Sequence, residues 1–323
     1  MLKFDVGQYV NMEQFFKYGD QYIDEVIRPL LPNANLGSFI MNKYYLFDPG
    51  QLNGSIYERK LEDELYFFHF TSISSLLEII RSQTIRMSDF NTFSDDFELT
   101  LANNNLVENP LKFEDYKSCL FALSMCEESE ENLHSNYLWE NYGDNHRGVC
   151  IRLRFDKKKS YLNDFYLGKI IYKSTNQISE LEELKKRHND FKIKYGKAID
   201  NLDEILLTVC SMYKKSNPFE NEKETRLLAY IQKDKNQIHT NLDHPIRHRY
   251  NSQKDIIEYF LELKLEHQIT NENKSMRYCL PYFSIDGIIL GDDCFRENIA
   301  KLRSVIEYEF KDSFKRPILY YKK

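Results

Sequence analysis

Phe67–Ser72 reads Phe-Phe-His-Phe-Thr-Ser, an apolar run that ends in a histidine and two hydroxyl residues and opens directly into a helical pattern. Such a junction commits the chain to a buried strand that hands over at its C-terminal end to a helix. Thr71 or Ser72 then caps the helix, and its exposed N–H groups favour an anionic group nearby. A polar cluster on a rigid strand end is one way a cleft for a nucleotide-like ligand is built. Taken alone, these six residues are accounted for by a capped strand–helix junction with a packed histidine.

The 323 residues suffice for a full core. With 42% hydrophobic and 29% charged residues, 23 Tyr and 22 Phe, the composition is that of a folded globular chain. The net charge of −6 offers no general attraction to nucleic acid. No apolar run approaches the roughly 20 residues of a spanning helix. The first sixteen residues carry Asp5 and lack a continuous apolar segment, so a cytoplasmic protein without a membrane role is expected. Six cysteines without a CxxC pair read as reduced, mostly buried thiols. His244 and His248 stand four apart, but Pro245 lies between them, which reads as a helix start; no metal site is expected. The basic clusters Lys157–Lys159 and Arg247–Arg249 read as solvated surface.

The pattern along the chain predicts residues 1–60 as an accessory segment packed on a single α+β domain over 61–323, with a helical insertion at about 177–216. The accessory part has a helix over Met12–Leu31 and a strand at Tyr44–Phe47. In the domain, strands are expected at Leu65–Phe70, Thr84–Ser88, Cys119–Met125, Val149–Phe155 (buried on one face), Gly168–Tyr172, Phe219–Ile231, Asp286–Leu290 and Ile318–Tyr321. Helices are expected over Ser74–Ser82, after Ser94–Glu98, over Leu133–Tyr142, from Ile178 to about Lys215 with a break at Gly196, near Ile256–Leu265, and from Asp293 to about Phe310. This uneven interleaving indicates α+β, not a regular doubly wound sheet.

A second cluster, Glu222-Lys223-Glu224-Thr225-Arg226, puts two carboxylates and a guanidinium on one side if the segment is strand. Paired carboxylates raise at least one pKa unless a cation compensates, and such a pair exchanges protons, binds metal or stabilises a developing cation. An exposed ion pair on a solvated edge is the simpler account of these residues alone.

Taken together, FFHFTSISSLLEIIRSQTIRMSDF, SDDFE, LHSNYLWENYGDNHRGVCIRL, FENEKETRL and DGIILG resemble a bacterial family known as domain of unknown function 2971, over about residues 65–295. The family pattern has a His-aromatic-Thr/Ser strand end, Asn-Asp-Pro-x-Glu, Trp-x-x-Tyr…His-x-Gly and Trp-x-x-Glu-x-Glu-x-Arg. Trp139, the single tryptophan, falls in the third motif with Tyr142, His146 and Gly148. Ser94, Asp96 and Phe219 depart from the pattern, while Asp95, Glu98, Glu222, Glu224 and Arg226 keep it.

The first motif is also similar to the opening of ADP-ribosyltransferase-type domains. That resemblance implies a split β-sheet core with flanking helices; the long helical insertion lies outside it. It implies NAD as substrate, with His69, Thr71 and Ser72 holding the dinucleotide and Tyr142 stacking on nicotinamide. Glu224 would stabilise the oxocarbenium-like state, Glu222 would position the acceptor, and Arg226 would pair with a phosphate or with Glu222. The activity implied is an NAD-dependent ADP-ribosyltransferase or NAD glycohydrolase, a toxin or phage-defence effector with an antitoxin or defence-system partner. Two other classes fit the same residues: a nucleotide-binding sensor module without chemistry, and a metal-dependent nuclease using Asp95, Glu98, Glu222 and Glu224.

Overall fold

In the computed structural model, which describes residues 19–34, 39–40, 43–44, 52, 54–60, 64–93, 117–156, 165–174, 178–196, 209–230, 246–252, 255–265, 281–311 and 316–321, a mixed sheet forms the centre of an α+β fold. A π-helical turn, Ile23–Ile27, precedes a two-stranded pair, β1 (Phe39–Ile40) and β2 (Lys43–Tyr44). The aromatic strand is β3 (Glu64–Thr71), followed by α1 (Ile73–Ser82) and β4 (Thr84–Asp89). Next come β5 (Leu120–Glu127), the short helices α2 (Glu130–Leu133) and α3 (Asn136–Asn141), β6 (Val149–Asp156), β7 (Phe165–Lys169) and β8 (Ile171–Lys173). Helix α4 (Ser179–Tyr195), β9 (Tyr213–Lys215), β10 (Glu224–Tyr230), β11 (Ile246–Asn251), β12 (Ile256–Lys264), β13 (Phe283–Leu290), α5 (Arg296–Glu309) and β14 (Ile318–Tyr321) complete the order.

The first junction forms for the reason its sequence suggests. Ser72 is extended at the N-cap of α1, and its hydroxyl accepts the Ser75 N–H at 3.1 Å. Leu76, Ile79 and Ile80 make the buried face of α1, and Gln83 ends it in the left-handed region at φ 55°.

The branching of the sheet at β5 positions everything functional. One edge of β5 pairs from Leu120 to Cys126 with β10, Glu224 opposite Cys126 and Arg226 opposite Ser124. On the other edge β4 takes Phe121 and Ala122, while β3 takes Cys126 and Glu127. Between these short ladders Leu123, Ser124 and Met125 pair, among the described residues, with β10 alone. The strands therefore diverge into a wing β4–β12–β11 and a wing β3–β6–β13–β14.

Side-chain alternation gives the strands two covered faces. Phe121, Leu123, Met125, Leu227 and Ala229 join the core beneath α1 and α5. Leu120, Ala122 and Leu228 instead join Tyr22, Ile23, Val26 and Ile27 and the Leu181, Leu184 and Phe191 face of α4. The Tyr22 hydroxyl hydrogen-bonds His188 Nδ1 at 2.8 Å, and the Tyr195 hydroxyl donates to Glu25 at 2.8 Å, tying that layer together.

Several expected elements differ. Ile256–Leu265 is strand β12, not helix: its Ile, Tyr and Phe side chains suit a pleated surface, and Phe260–Lys264 finds a partner in β4. Leu133–Tyr142 is not one helix, because Ser135 is extended and caps α3 by accepting the Leu138 N–H. The strand expected at Gly168–Tyr172 divides at Ile170 into β7 and β8. The long helix breaks at Gly196 as expected, in the left-handed region at φ 69°, but Tyr213–Lys215 is a strand parallel to β8 and not helix. Strand β6 is covered on both faces, with Cys150 and Arg154 buried. Glu220–Glu222 forms a 3₁₀ turn and β10 begins at Glu224. His248 lies in strand β11, while His244 is outside the described residues, as are 94–98 and most of 1–60. Among the described residues no helix is long and apolar enough to cross a membrane.

Candidate functional site

At the branch of the sheet the structure forms a half-open cavity of about 150 Å³. An apolar cavity of this size accommodates one benzene-sized ring. Its walls are mostly apolar: Phe68 and Phe70 from β3, Met125 and Cys126 from β5, with Leu138, Phe93 and Phe219. His69, Ser124, Tyr142, Lys214, Glu222 and Glu224 supply its polar groups.

His69 fills the gap that the diverging strands leave. Its Nδ1 lies 3.0 Å from the Ser124 carbonyl oxygen, in the stretch of β5 that pairs with β10 alone. Burial pushes the His69 pKa down, and the hydrogen bond to Ser124 only partly opposes this. The neutral ring must then carry its proton on Nδ1 to donate to that carbonyl, which leaves Nε2 an acceptor.

The carboxylates come from opposite sides of Lys223, which turns the chain in the left-handed region at φ 45°. Both are buried, and one ammonium bridges them: Lys214 Nζ is 2.6 Å from Glu222 Oε2 and 2.8 Å from Glu224 Oε2. Glu222 Oε1 accepts from the Tyr142 hydroxyl. Glu224 accepts from the Ser124 hydroxyl at 2.6 Å and from both Nε (2.6 Å) and Nη2 (2.9 Å) of Arg226. Arg226 is fully buried, gives its third hydrogen bond to the Ser211 carbonyl at 2.7 Å, and faces the stacked rings of Phe90 and Phe93.

Two neighbouring carboxyl groups are thereby pushed in opposite directions. Burial raises the pKa of both. At Glu224 the charges of Arg226 and Lys214 and their hydrogen bonds overcome burial, and the group is held below the ordinary carboxylate range. At Glu222 the shared Lys214 and the Tyr142 hydroxyl do not, and its pKa is raised. Oppositely shifted acids in one site are the usual basis for dividing labour between a charged stabiliser and a proton acceptor.

Of the residues singled out from sequence, His69, Tyr142, Glu222 and Glu224 share this cavity. Thr71 ends β3 away from its lining, and Ser72 is engaged as the cap of α1. Arg226 lies behind Glu224, and its carboxylate partner is Glu224, not Glu222. Sequence reasoning missed Lys214, which a helical periodicity concealed, and Ser124, a lone hydroxyl in the otherwise apolar strand Leu120–Cys126. Tyr172, whose hydroxyl accepts the Glu224 N–H at 2.9 Å, was also missed.

Around Tyr142 the frame is closely packed. Trp139 is fully buried, donates from Nε1 to the Leu133 carbonyl at 2.6 Å, packs edge-on against Phe70 and stacks on His146. Gly148 has to be glycine: a Cβ there would lie 2.8 Å from the Gly143 carbonyl oxygen and closer still to that of Thr71. This approach ties the end of β3 to the turn after α3. Among the described residues no group of three or more His, Cys, Asp or Glu side chains could hold a metal ion.

Residues 138–227 match the model of a family described as protein of unknown function (DUF2971), the family that the motifs resemble. The matched segment runs through Trp139, Tyr142, Gly148, Lys214, Glu222, Glu224 and Arg226 and so contains most of the cavity's polar side. No curated protein and no solved structure matches the chain.

Proposed function

We propose that the cavity receives the nicotinamide end of NAD or of a related nucleotide, and that the chain cleaves the N-glycosidic bond as an ADP-ribosyltransferase or NAD glycohydrolase. The observation that carries the reading is the placement of two lysine-bridged carboxylates on the wall of one ring-sized apolar cavity. A ring inside meets Phe68, Phe70, Phe93 and Phe219, and the rest of a dinucleotide lies outside.

Breaking the nicotinamide–ribose bond builds positive charge on the sugar. An ionised carboxylate that gains a hydrogen bond from the ribose 2-hydroxyl stabilises that state more than the ground state. Glu224 takes this role, held ionised by Arg226 and Lys214; four donors already occupy its two oxygens, so the ribose hydroxyl takes the place of the Ser124 hydroxyl on Oε1. Glu222 takes the role of proton acceptor for the incoming nucleophile. His69 Nε2 offers an acceptor to a hydroxyl or amide of the ligand. The branching of the sheet at β5 supports an ADP-ribosyltransferase-like core. On this reading the chain acts in the cytoplasm as a toxin or phage-defence effector, restrained or triggered by a protein partner.

A second reading, a nucleotide-binding sensor without chemistry, is favoured by one feature. Glu224 is already compensated by two cations, which weakens its field at a developing positive charge. Chromatography of NAD incubated with the pure protein, alongside calorimetry, separates the two. Nicotinamide release supports cleavage; NAD binding without release supports the sensor; absence of both removes NAD as the ligand.

A further inference from the structure

We infer, on the NAD reading above, that the cavity selects a ring bearing hydrogen-bond donors and no negative charge, with His69 accepting from it. The substrate class is then the amide form of the dinucleotide, and the nicotinic acid form is refused. Every side-chain donor in the lining is already engaged before a ligand enters. His69 Nδ1 donates to the Ser124 carbonyl at 3.0 Å, and the Ser124 hydroxyl donates to Glu224 at 2.6 Å. The Cys126 thiol donates to the Phe68 carbonyl at 3.8 Å, and the Tyr142 hydroxyl donates to Glu222. The Lys214 ammonium lies between Glu222 and Glu224, 5.4 Å from the centre of the Phe219 ring.

The side-chain positions that stay open are acceptors. A carbonyl oxygen can only accept, so the Nδ1 contact fixes the proton of neutral His69 there and leaves Nε2 a bare lone pair. Burial pushes the His69 pKa down, which keeps the ring neutral. Among the described residues Nε2 has no hydrogen-bond partner, and His69 lines the cavity. Each oxygen of Glu222 accepts one hydrogen bond, from Tyr142 or from Lys214, and keeps a second lone pair. The two cations, Lys214 and Arg226, both sit on the carboxylates.

The carboxamide of nicotinamide brings two N–H donors, and its ring in NAD is cationic. Both suit a wall of open lone pairs beside two acids. Nicotinic acid adenine dinucleotide has nearly the same shape but presents a carboxylate at that position. Its oxygens would set lone pairs against His69 Nε2 and Glu222, losing the hydrogen bond and adding repulsion.

The test is calorimetry of the full chain at pH 7.5 with the carbocyclic analogues of NAD and of nicotinic acid adenine dinucleotide. A methylene replaces the ribose ring oxygen in both, so binding is read without turnover. We expect the acid form to bind at least about tenfold more weakly than the amide form. His69→Phe, shown folded by circular dichroism, should narrow that preference at least about threefold, by weakening the amide form and leaving the acid form unchanged. Acid binding within tenfold of the amide, or tighter, overturns the inference and leaves the dinucleotide as ligand. An unchanged preference in folded His69→Phe overturns it as well; if that variant does not fold, the wild-type comparison decides alone. Binding of neither analogue removes the NAD reading and this inference with it.

Discussion

Replacing Lys214 with methionine withdraws the one cation that both carboxylates share while keeping most of the side chain's volume. The ammonium is nearly without solvent and lies within 2.8 Å of each carboxylate. Removing one member of a buried ion pair commonly costs about 3–5 kcal/mol. Here the cost should depend on pH, because Glu222 can escape by taking up a proton. The groups that face it are Tyr142 and Tyr137 around α3, Tyr172 from β8 and Glu224 from β10, and none of them supplies a replacement cation. A carboxyl whose pKa is raised by folding binds its proton more tightly in the folded chain. Stability therefore falls as pH rises from the unfolded value, 4.5, to the folded one, at up to about 1.4 kcal/mol per pH unit. Lys214 keeps that window narrow, and its loss extends the window upward. Urea denaturation of wild type and Lys214→Met at several pH values between 5.5 and 8 measures this. The stability difference should grow by roughly 1 kcal/mol or more as pH rises across that range. A constant difference, or one below about 1 kcal/mol throughout, refutes the account of the shared lysine.

Two further outcomes follow from the same geometry. Arg226→Met should destabilise the protein by about 3–5 kcal/mol in denaturant titrations, and the loss should be much smaller when measured in a Glu224→Gln background, because the two residues are one buried pair. Gly148→Ala should lower stability by about 1–3 kcal/mol, because the added methyl meets the backbone carbonyls of Thr71 and Gly143; a thermal melt unchanged from wild type contradicts that crowding.

The parts of the fold legible in sequence are those whose signal is local. The strand through His69, its Ser72 cap and helix α1 all lie within twenty residues and form as read, although the buried face of α1 is Leu76, Ile79 and Ile80 where the pattern points to Ile73, Leu76, Leu77 and Ile80. The helix read at Ile256–Leu265 fails because seven apolar residues in ten fit either period, and pairing with β4, some 170 residues earlier, decides it. Lys214 fails for a similar reason. Val209 and Met212 continue a helical spacing, but Tyr213–Lys215 pairs with β8, and only that pairing carries the lysine to the carboxylates. The proximity of Glu222 and Glu224 was read from strand alternation. It arises instead from a 3₁₀ turn and a left-handed Lys223, with Lys214 between the acids. Nothing in the local sequence marks Ser124 as the residue opposite Arg226, since register between β5 and β10 is a property of the whole sheet.

The central claim is that Glu224 is the ionised carboxylate of a glycosidic-cleavage site. The most direct measurement is the rate of nicotinamide release from NAD by wild type and Glu224→Gln, both first shown folded by circular dichroism and both assayed with cell lysate present. The account predicts release by wild type and a loss of about 10²-fold or more in the variant, with nucleotide binding retained. Turnover by Glu224→Gln at the wild-type rate would contradict it.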